Sequence, residues 1–268
     1  MANKALTTAQ KSELTTPTDS GFEDYAGAGL EQVTADDLLV PRLGILQSLS
    51  PQLKKSKSEY IEGAELGQIA DLGTGEIFPD GIWFLPVYYR KEYLEWAPRD
   101  TGKGLVNIHA DPAILDKTTR DDRNRPILDN GNYIAETAQF FGLNLSAGRR
   151  MCFLPMTSTQ LKKARRWNTL AMGEKLKRGD GSEFTAPLFY RTYNLTTAEE
   201  SNAQGEWAGW KIDRGLALPE ITMEDHAMDW HQIKGEALAF LESLIKGEAK
   251  ADVNSMSDED SSAEEKAM

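Results

Sequence analysis

Short runs of alternating hydrophobic and polar residues fill the middle of the chain, and this period of two predicts β-strands. Two such runs meet around Gly73 and Gly75, two more flank residues 146–148, and a further pair lies on either side of the polar segment 198–206. Glycine and small polar residues at these breaks are typical of turns. The pattern therefore predicts seven or eight short strands.

The clearest strand covers residues 81–96, which are rich in aromatic and β-branched side chains. Alternation predicts that one face of its first half belongs to the core, through Trp83, Leu85 and Val87. Tyr88 and Arg90 then fall on the opposite face, which we expect to be exposed. A bulge is required farther along if three aromatic residues are to share one face, namely Tyr89, Tyr93 and Trp96.

Two segments have the period of α-helices. The first covers residues 158–178, with Ser158 as its predicted N-cap and Gly179 as its end. Its apolar face includes Trp167, which we expect to anchor the helix to the sheet. The second covers residues 223–246.

Many short strands with few helices favour a mainly β fold of the α+β class, an OB-like antiparallel β-barrel with one helix between strands and one after them. Residues 36–247 are predicted to form this single domain. Residues 1–35 are rich in Thr, Ala, Gly and Glu without periodicity, and residues 248–268 are acidic and rich in Ser. Both ends are therefore predicted to be disordered.

Charge is distributed unevenly along the chain. The formal net charge is -12, of which residues 248–268 carry -5, from seven acids against two lysines. Residues 1–35 carry -3, which leaves -4 for the central domain. Within that domain, residues 149–178 contain nine lysines and arginines against the single acid Glu174. This concentration of cations predicts an anionic ligand, although charge runs are also common on solvated helix surfaces.

Candidate catalytic chemistry is sparse, and an enzyme is disfavoured. The sequence contains no phosphate-binding GxxxxGK[ST] loop, no dinucleotide fingerprint and no GxSxG nucleophile motif. His226 and His231 lie five residues apart and diverge by about 140° on a helix. A nuclease site built from His109 with Asp111, or from Asp121 with Asp122, is the remaining alternative. We expect no metal and no cofactor.

Other features point to a water-soluble protein of a reducing cytoplasm. No apolar run approaches the length of about 20 residues that a membrane span requires. The N-terminal residues lack the apolar stretch of a secretory signal. The only cysteine, Cys152, stands among hydrophobic residues and is expected to pack as a small hydrophobic side chain.

Cations close to aromatic residues indicate binding of single-stranded nucleic acid, because bases stack on aromatic rings while Lys and Arg contact phosphates. The candidate phosphate-binding residues are Arg90, Lys91, Arg149, Arg150, Lys162, Lys163, Arg165, Arg166 and Arg191. The candidate stacking residues are Tyr88, Tyr89, Tyr93, Trp96, Tyr190, Tyr193 and Trp207. Trp83, Trp210 and Trp230 are assigned to the core. We also expect Trp207 and Lys211 to share the face opposite Trp210 and Ile212.

Several segments also carry a family resemblance. They are, in chain order, VPRLGILQSLSPQ, YIEGAELGQI, PVYYRKEYLEW, STQLKKARRWN, FYRTYNLTT and GEWAGWKI. Over roughly residues 36–215 the chain resembles the single-stranded-DNA-binding proteins encoded by tailed bacteriophages. The resemblance implies an OB-like barrel, a role in phage replication or recombination, and an acidic tail that contacts replication proteins. The chain departs from several such tails because it ends EEKAM, without a terminal Phe.

Two alternatives from other classes remain open. A phage structural or assembly protein would use the barrel for protein contacts, with the cations of residues 162–166 facing an acidic subunit. A nuclease or an annealing factor would cleave or pair strands. The sequence is compatible with a homo-oligomer.

Overall fold

The computed structural model describes residues 22–25, 28–32, 39–122, 124–202 and 205–252. Most of the predicted N-terminal arm lies outside these ranges, as do residues 253–268 of the predicted acidic tail. The part of the arm that is described contains a short 3-10 helix, Phe22–Tyr25.

The described residues form fifteen strands and three α-helices. The strands are β1 (Leu39–Val40), β2 (Leu43–Ile45), β3 (Ile69–Asp71), β4 (Ile77–Phe78), β5 (Ile82–Trp96), β6 (Leu105–His109), β7 (Thr118–Arg120), β8 (Pro126–Leu128), β9 (Tyr133–Asn144), β10 (Arg150–Met156), β11 (Lys175–Lys177), β12 (Glu183–Thr185), β13 (Arg191–Asn202), β14 (Gly205–Ala217) and β15 (Lys250–Ala251). The helices are α1 (Leu161–Met172), α2 (Met223–His226) and α3 (Trp230–Lys246).

Strand β5 is the centre of an eight-stranded antiparallel sheet. One of its edges pairs with β9 from Phe84 to Trp96, and its other edge pairs with β13 at the start and with β6 at the end. Strand β9 in turn pairs with β10, and β13 pairs with β14. The sheet curls into a half-barrel, so the predicted mainly β, OB-like α+β fold is confirmed.

A bulge in β5 changes the side-chain alternation that the sequence predicts. The register with β9 shifts between Pro86 and Tyr88, where proline lacks the N–H that a regular ladder needs. Val87 and Tyr88 therefore pack against the same hydrophobic cluster, and the predicted placement of Tyr88 on the opposite face is wrong. Tyr89 packs against the other cluster, while Trp96 returns to the first.

Both faces of the central sheet are covered. On the side that we name the α3 face, Leu85, Phe141 and Phe153 pack with residues of α3 that include Ile233, Ala237 and Phe240. On the opposite side, the α1 face, the curled sheet packs with α1 and with the separate three-stranded sheet of β2, β3 and β4. The large rings in this cluster belong to Phe84, Phe140, Trp167, Tyr193 and Trp210. Cys152 is fully buried on the α1 face, as expected, and its burial raises the pKa of the thiol.

The helix predicted for residues 158–178 is shorter than expected. A 3-10 turn, Ser158–Gln160, precedes α1, so Ser158 is not the N-cap; its φ is 45°. The helix ends at Gly173, and Lys175–Lys177 forms a hairpin strand with β12. The predicted C-terminal helix is likewise divided, because Ala227 has a φ of 52° and Asp229 caps α3 by accepting a hydrogen bond from the His231 N–H.

The ordered domain extends past residue 247. Strand β15 pairs in parallel with β1, and the Asp252 N–H donates to the Val40 carbonyl. Ala249 and Ala251 pack against the cluster on the α3 face. The prediction that disorder begins at residue 248 is therefore wrong for residues 248–252.

Gly142 allows β5 and β9 to approach each other closely. A Cβ at this position would overlap the Leu85 carbonyl oxygen and the Phe84 ring. We expect Gly142→Ala to destabilise the protein by about 1–3 kcal/mol, the usual effect of overpacking. Gly235, on the exposed side of α3, has open space around it. Gly235→Ala is the matched control and should stabilise by up to about 1 kcal/mol. Urea unfolding measures both; equal stability of the two variants would contradict the predicted close approach.

Candidate nucleic-acid interface

Helix α1 is fixed to the sheet by Trp167. The indole stacks on Phe140 with ring centroids 4.0 Å apart and meets Tyr193 edge-on at 5.1 Å. Ala164 is buried beside it. Burial of a large aromatic side chain with such ring contacts is a strong anchor, so the predicted role of Trp167 is confirmed. The outer side of α1 is consequently set toward solvent.

Four cations cover that outer side and form what we name the α1 ridge: Lys162, Lys163, Arg165 and Arg166. At 100° per residue they follow one another around the helix in the order Arg165, Lys162, Arg166, Lys163, over an arc of about 160°. Lys162 and Arg166 are exposed, and within the described part of the chain neither has a carboxylate at ion-pair distance. The ridge therefore presents positive charge between two concave sites, one on its β9 side and one on its β13–β14 side.

On the β9 side, Glu136 joins the ridge to β5. Its Oε1 lies 2.7 Å from Lys91 Nζ and 3.6 Å from an Arg165 nitrogen. The hydrogen bond from Lys91 to Glu136 raises the pKa of this lysine. Tyr89, two residues earlier on the same face of β5, is half-buried with its ring 5.0 Å from Phe140. Lys91, Arg165 and Tyr89 are therefore the predicted site residues that the structure gathers on this side.

On the other side, a groove of about 300 Å³ separates α1 from the β13–β14 hairpin. We name it the hairpin groove; its apolar lining is Trp167, Leu170, Ala198, Trp210 and Ile212. Three cations line it as well. Lys163 pairs with Glu200, Lys211 lies 3.1 Å from Asp213, and Arg166 is the third. The groove thus combines an apolar floor with cations that are largely balanced by acids.

Buried polar contacts position this hairpin. Gln160 is buried at the start of α1, and its side-chain oxygen accepts a hydrogen bond of 3.0 Å from the Trp210 N–H. Glu200 accepts from the Trp207 indole at 2.9 Å in addition to pairing with Lys163. Trp207 is therefore turned inward. The regular register of β14 keeps Trp207 and Lys211 on the same side of the strand, as the sequence predicts, but of the two only Lys211 is exposed.

The remaining candidate cations lie elsewhere. Arg90 is on the α3 face, 5.0 Å from the centroid of the Phe141 ring, and it pairs with Glu92 at 2.9 Å. Arg149 pairs with Glu236 of α3 at 2.8 Å. The other two are Arg150, which pairs with Asp71 and Glu76, and Arg191, which pairs with Glu174. These four residues do not join the α1 ridge in one surface.

Four of the seven candidate stacking residues are sealed in the protein. Their exposed fractions are 6% for Tyr93, 4% for Trp96, 2% for Tyr193 and 9% for Trp207. The expectation of exposed rings is wrong for these four, because helices and a second layer of strands cover both faces of the sheet. Tyr88, Tyr89 and Tyr190 are half-buried, and Tyr88 lies on the α3 face. Trp210 is buried as predicted, whereas Trp83 and Trp230 are only half-buried.

Sequence reasoning missed the acidic partners of the cations. Within the described residues, seven of the nine candidate phosphate-binding side chains form an ion pair. Glu136, Glu174 and Glu200 each hold at least one of them. Glu174 also pairs with Arg214, which fixes the segment after α1 to β14. Glu200 lies opposite Trp207 because of the register in which β13 pairs with β14, and this register cannot be read from the composition of the sequence.

The groups proposed for the nuclease alternative have other partners. His109 Nε2 lies 2.8 Å from Glu95, which also accepts hydrogen bonds from Asn130 and Asn132. Asp121 pairs with Arg125, and Asp111 caps a 3-10 turn. Among the described residues, no cluster of three His, Cys, Asp or Glu side chains fits a metal ion. None of the helices described has the length and apolar composition of a bilayer span.

Comparison with known protein families gives a match over most of the chain. The family model for Pam3 phage gp34-like proteins matches residues 9–250, which is most of the chain. No curated protein and no solved structure matches it. The chain therefore belongs to the Pam3 phage gp34-like protein family, and the phage origin that the order of its sequence segments implies is confirmed.

Proposed function

We propose that this protein binds single-stranded DNA with little sequence preference during phage replication or recombination. The observation that carries the proposal is the α1 ridge, where Lys162 and Arg166 stand exposed between two grooves. The phosphates of an extended strand would follow this helix. Membership of a phage family and the OB-like fold agree with such a role. Phosphate contacts of this kind release counterions and give affinity without reading sequence.

The acidic partners of the cations are compatible with this function. Surface ion pairs contribute only about 0–1 kcal/mol, so a phosphate can replace a glutamate at small cost. Glu136 and Glu200 hold Lys91, Arg165 and Lys163 in place while no anion is bound. The ridge is thus arranged in advance, and the binding surface loses less side-chain freedom when the strand arrives.

Burial of the aromatic rings changes how the bases would be held. Tyr89 is the half-buried candidate ring nearest to the ridge partners Lys91 and Glu136. The apolar lining of the hairpin groove, which includes Leu170 and Ile212, offers contact area in place of a row of stacked rings. Electrostatics therefore carries a larger share of the affinity than the sequence suggests, and binding should depend strongly on salt.

The acidic residues of the tail supply the proposed link to protein partners. Residues 253–268 contain five acids and one lysine, a net charge of -4. Such a polyanion can compete with DNA for the α1 ridge and, once displaced, recruit cationic replication or recombination proteins. The proposed place of action is the host cytoplasm.

Removing the two ridge cations that have no ion-pair partner among the residues the structure describes should weaken DNA binding. We expect Lys162→Ala/Arg166→Ala to bind labelled oligo-dT on the order of ten-fold more weakly and to reduce the salt slope by about 1.4, since each phosphate contact on a single strand contributes about 0.7. Fluorescence anisotropy at about 50 mM and about 200 mM salt measures both quantities. The charge-matched control is Lys234→Ala/Lys246→Ala on α3, which covers the other face of the sheet. Equal loss in both variants would contradict the assigned site.

Removing the negative charge that holds Lys91 and Arg165 should tighten binding. We expect Glu136→Gln to raise affinity for oligo-dT about two- to five-fold, because one surface charge at this range is worth up to about 1 kcal/mol. Glu242→Gln is the control, since Glu242 forms a comparable surface pair with Lys246 at 2.7 Å on α3. Weaker binding by Glu136→Gln would show that this carboxylate does not compete with phosphate.

Truncation of the tail has to spare β15. Deleting residues 253–268 keeps the pairing of Lys250 and Ala251 with β1 and should tighten oligo-dT binding several-fold at low salt. Deleting from residue 248 removes that strand as well and is expected to lower the melting temperature. Unchanged affinity after the shorter deletion, measured by the same anisotropy titration, would remove the tail from the proposal.

A second candidate function is that of a phage assembly protein. Leu238 and Ile245 are 44% and 68% exposed, and their spacing of seven residues places them on one side of α3. Exposed apolar side chains in register on a helix are typical of protein contacts. A purified protein that ignores oligonucleotides at low salt but associates through α3 would support this second function over the first.

A further inference from the structure

A second concave site lies on the β9 side of α1. This pocket, which we name the β9 pocket, has a volume of about 210 Å³. Its apolar lining comes from four different elements and consists of Leu115, Pro126, Ile134, Ala135 and Leu161. Arg120, Arg125 and Glu136 also line it. The guanidinium of Arg125 lies 5.3 Å from the centroid of the Tyr133 ring, which closes one wall.

The size and lining of the β9 pocket restrict what it can hold. Sites for drug-sized ligands measure about 300–1,000 Å³, so this smaller pocket suits a single ring system. A mostly apolar lining with a few polar groups is the usual composition of a small-ligand site. Arg120, whose guanidinium donates to the Asn124 carbonyl oxygen at 2.7 Å, adds positive charge next to the apolar cavity, whereas Arg125 pairs with Asp121. A flat heteroaromatic ring attached to an anionic backbone matches both properties.

Ser158, another lining residue, is held in an unfavourable state. Its φ is 45°, in the left-handed region that non-glycine residues rarely adopt, and its hydroxyl oxygen is buried without a hydrogen-bond partner in the described part of the chain. Backbone strain and unsatisfied buried polar atoms concentrate at binding sites, where the surrounding fold maintains them. These two features of Ser158 indicate a binding site rather than a simple packing defect.

The β9 pocket is continuous with the α1 ridge. Leu161 lines the pocket and directly precedes Lys162 of the ridge. Glu136 lines the pocket and pairs with Arg165. A DNA strand whose phosphates follow the ridge would therefore pass close enough to the pocket mouth for one of its nucleotides to reach into the pocket.

We infer that the β9 pocket takes one nucleobase of the bound strand, in an inference that rests on the proposed DNA-binding function. The base enters between Leu115, Ala135 and Leu161, and Arg120 contacts the adjacent phosphate. The occupant is a single unstacked base, which a duplex does not offer. The pocket thus gives the protein a means of distinguishing single-stranded from double-stranded DNA.

The test compares oligo-dT with an abasic strand of the same length. The abasic strand carries the same phosphates, so its binding reports on the ridge alone, and the difference between the two reports on base contacts. We expect the native protein to prefer oligo-dT about five-fold or more, the increment of at least one held base. Leu115→Trp fills the pocket from a half-exposed position, and Leu161→Trp fills it from the half-buried start of α1. Both variants should lose most of the preference while their affinity for the abasic strand stays unchanged.

Leu238→Trp on α3 is the matched control and should keep the preference, because Leu238 lies on the opposite face of the sheet. Oligonucleotides with a single 2-aminopurine provide a second readout, since its emission should change on binding to the native protein and not on binding to Leu115→Trp. Equal affinity of the native protein for both strands, or a preference that survives both pocket variants, would overturn the inference and leave the proposed function standing. Failure to bind either strand would overturn both.

Discussion

The packing of Trp167 against Phe140 and Tyr193 is the contact on which the candidate site depends. It places α1 across one face of the central sheet and leaves only the outer side of the helix to solvent. The hairpin groove and the β9 pocket are the spaces that remain on either side of a helix anchored in this way. Loss of this one side chain would therefore remove the ridge, both grooves and much of the core together, which makes Trp167 unsuitable as a test of binding.

Coverage of both sheet faces explains which sequence predictions succeeded. The fold class followed from the strand pattern, and the role of Trp167 followed from the helical period. The burial of Tyr93, Tyr193 and Trp207 could not be predicted. Alternation along a strand shows which residues share a face, but it does not show whether a second layer covers that face. The bulge next to Pro86 in β5 also shifts the side-chain alternation, and strand propensity does not show where such a bulge lies. Long-range packing, rather than local preference, decides these positions.

The sequence shows which cations belong to the candidate site, but it does not show which acidic residues pair with them. A run of lysines and arginines is visible in the sequence, whereas Glu136 and Glu200 reach it only through the pairing of β5 with β9 and of β13 with β14. The two strand pairings bring carboxylates to opposite sides of the same helix. For this reason the nine-to-one charge ratio of residues 149–178 overstates the positive potential of the folded surface.

The same acids give the proposed interface a physical logic. The chain carries a formal net charge of -12, so exposed cations in it attract its own carboxylates as well as DNA. The pairs with Glu136 and Glu200 are such internal contacts, and they hold the long side chains of Lys91, Arg165 and Lys163 in place. A DNA strand offers one phosphate per nucleotide and a large release of counterions, which isolated glutamates cannot match. If the proposed function is correct, exchange of glutamate for phosphate along α1 would favour DNA binding at low salt and the internal ion pairs at high salt. The internal acids would then set the ionic strength at which the protein releases DNA.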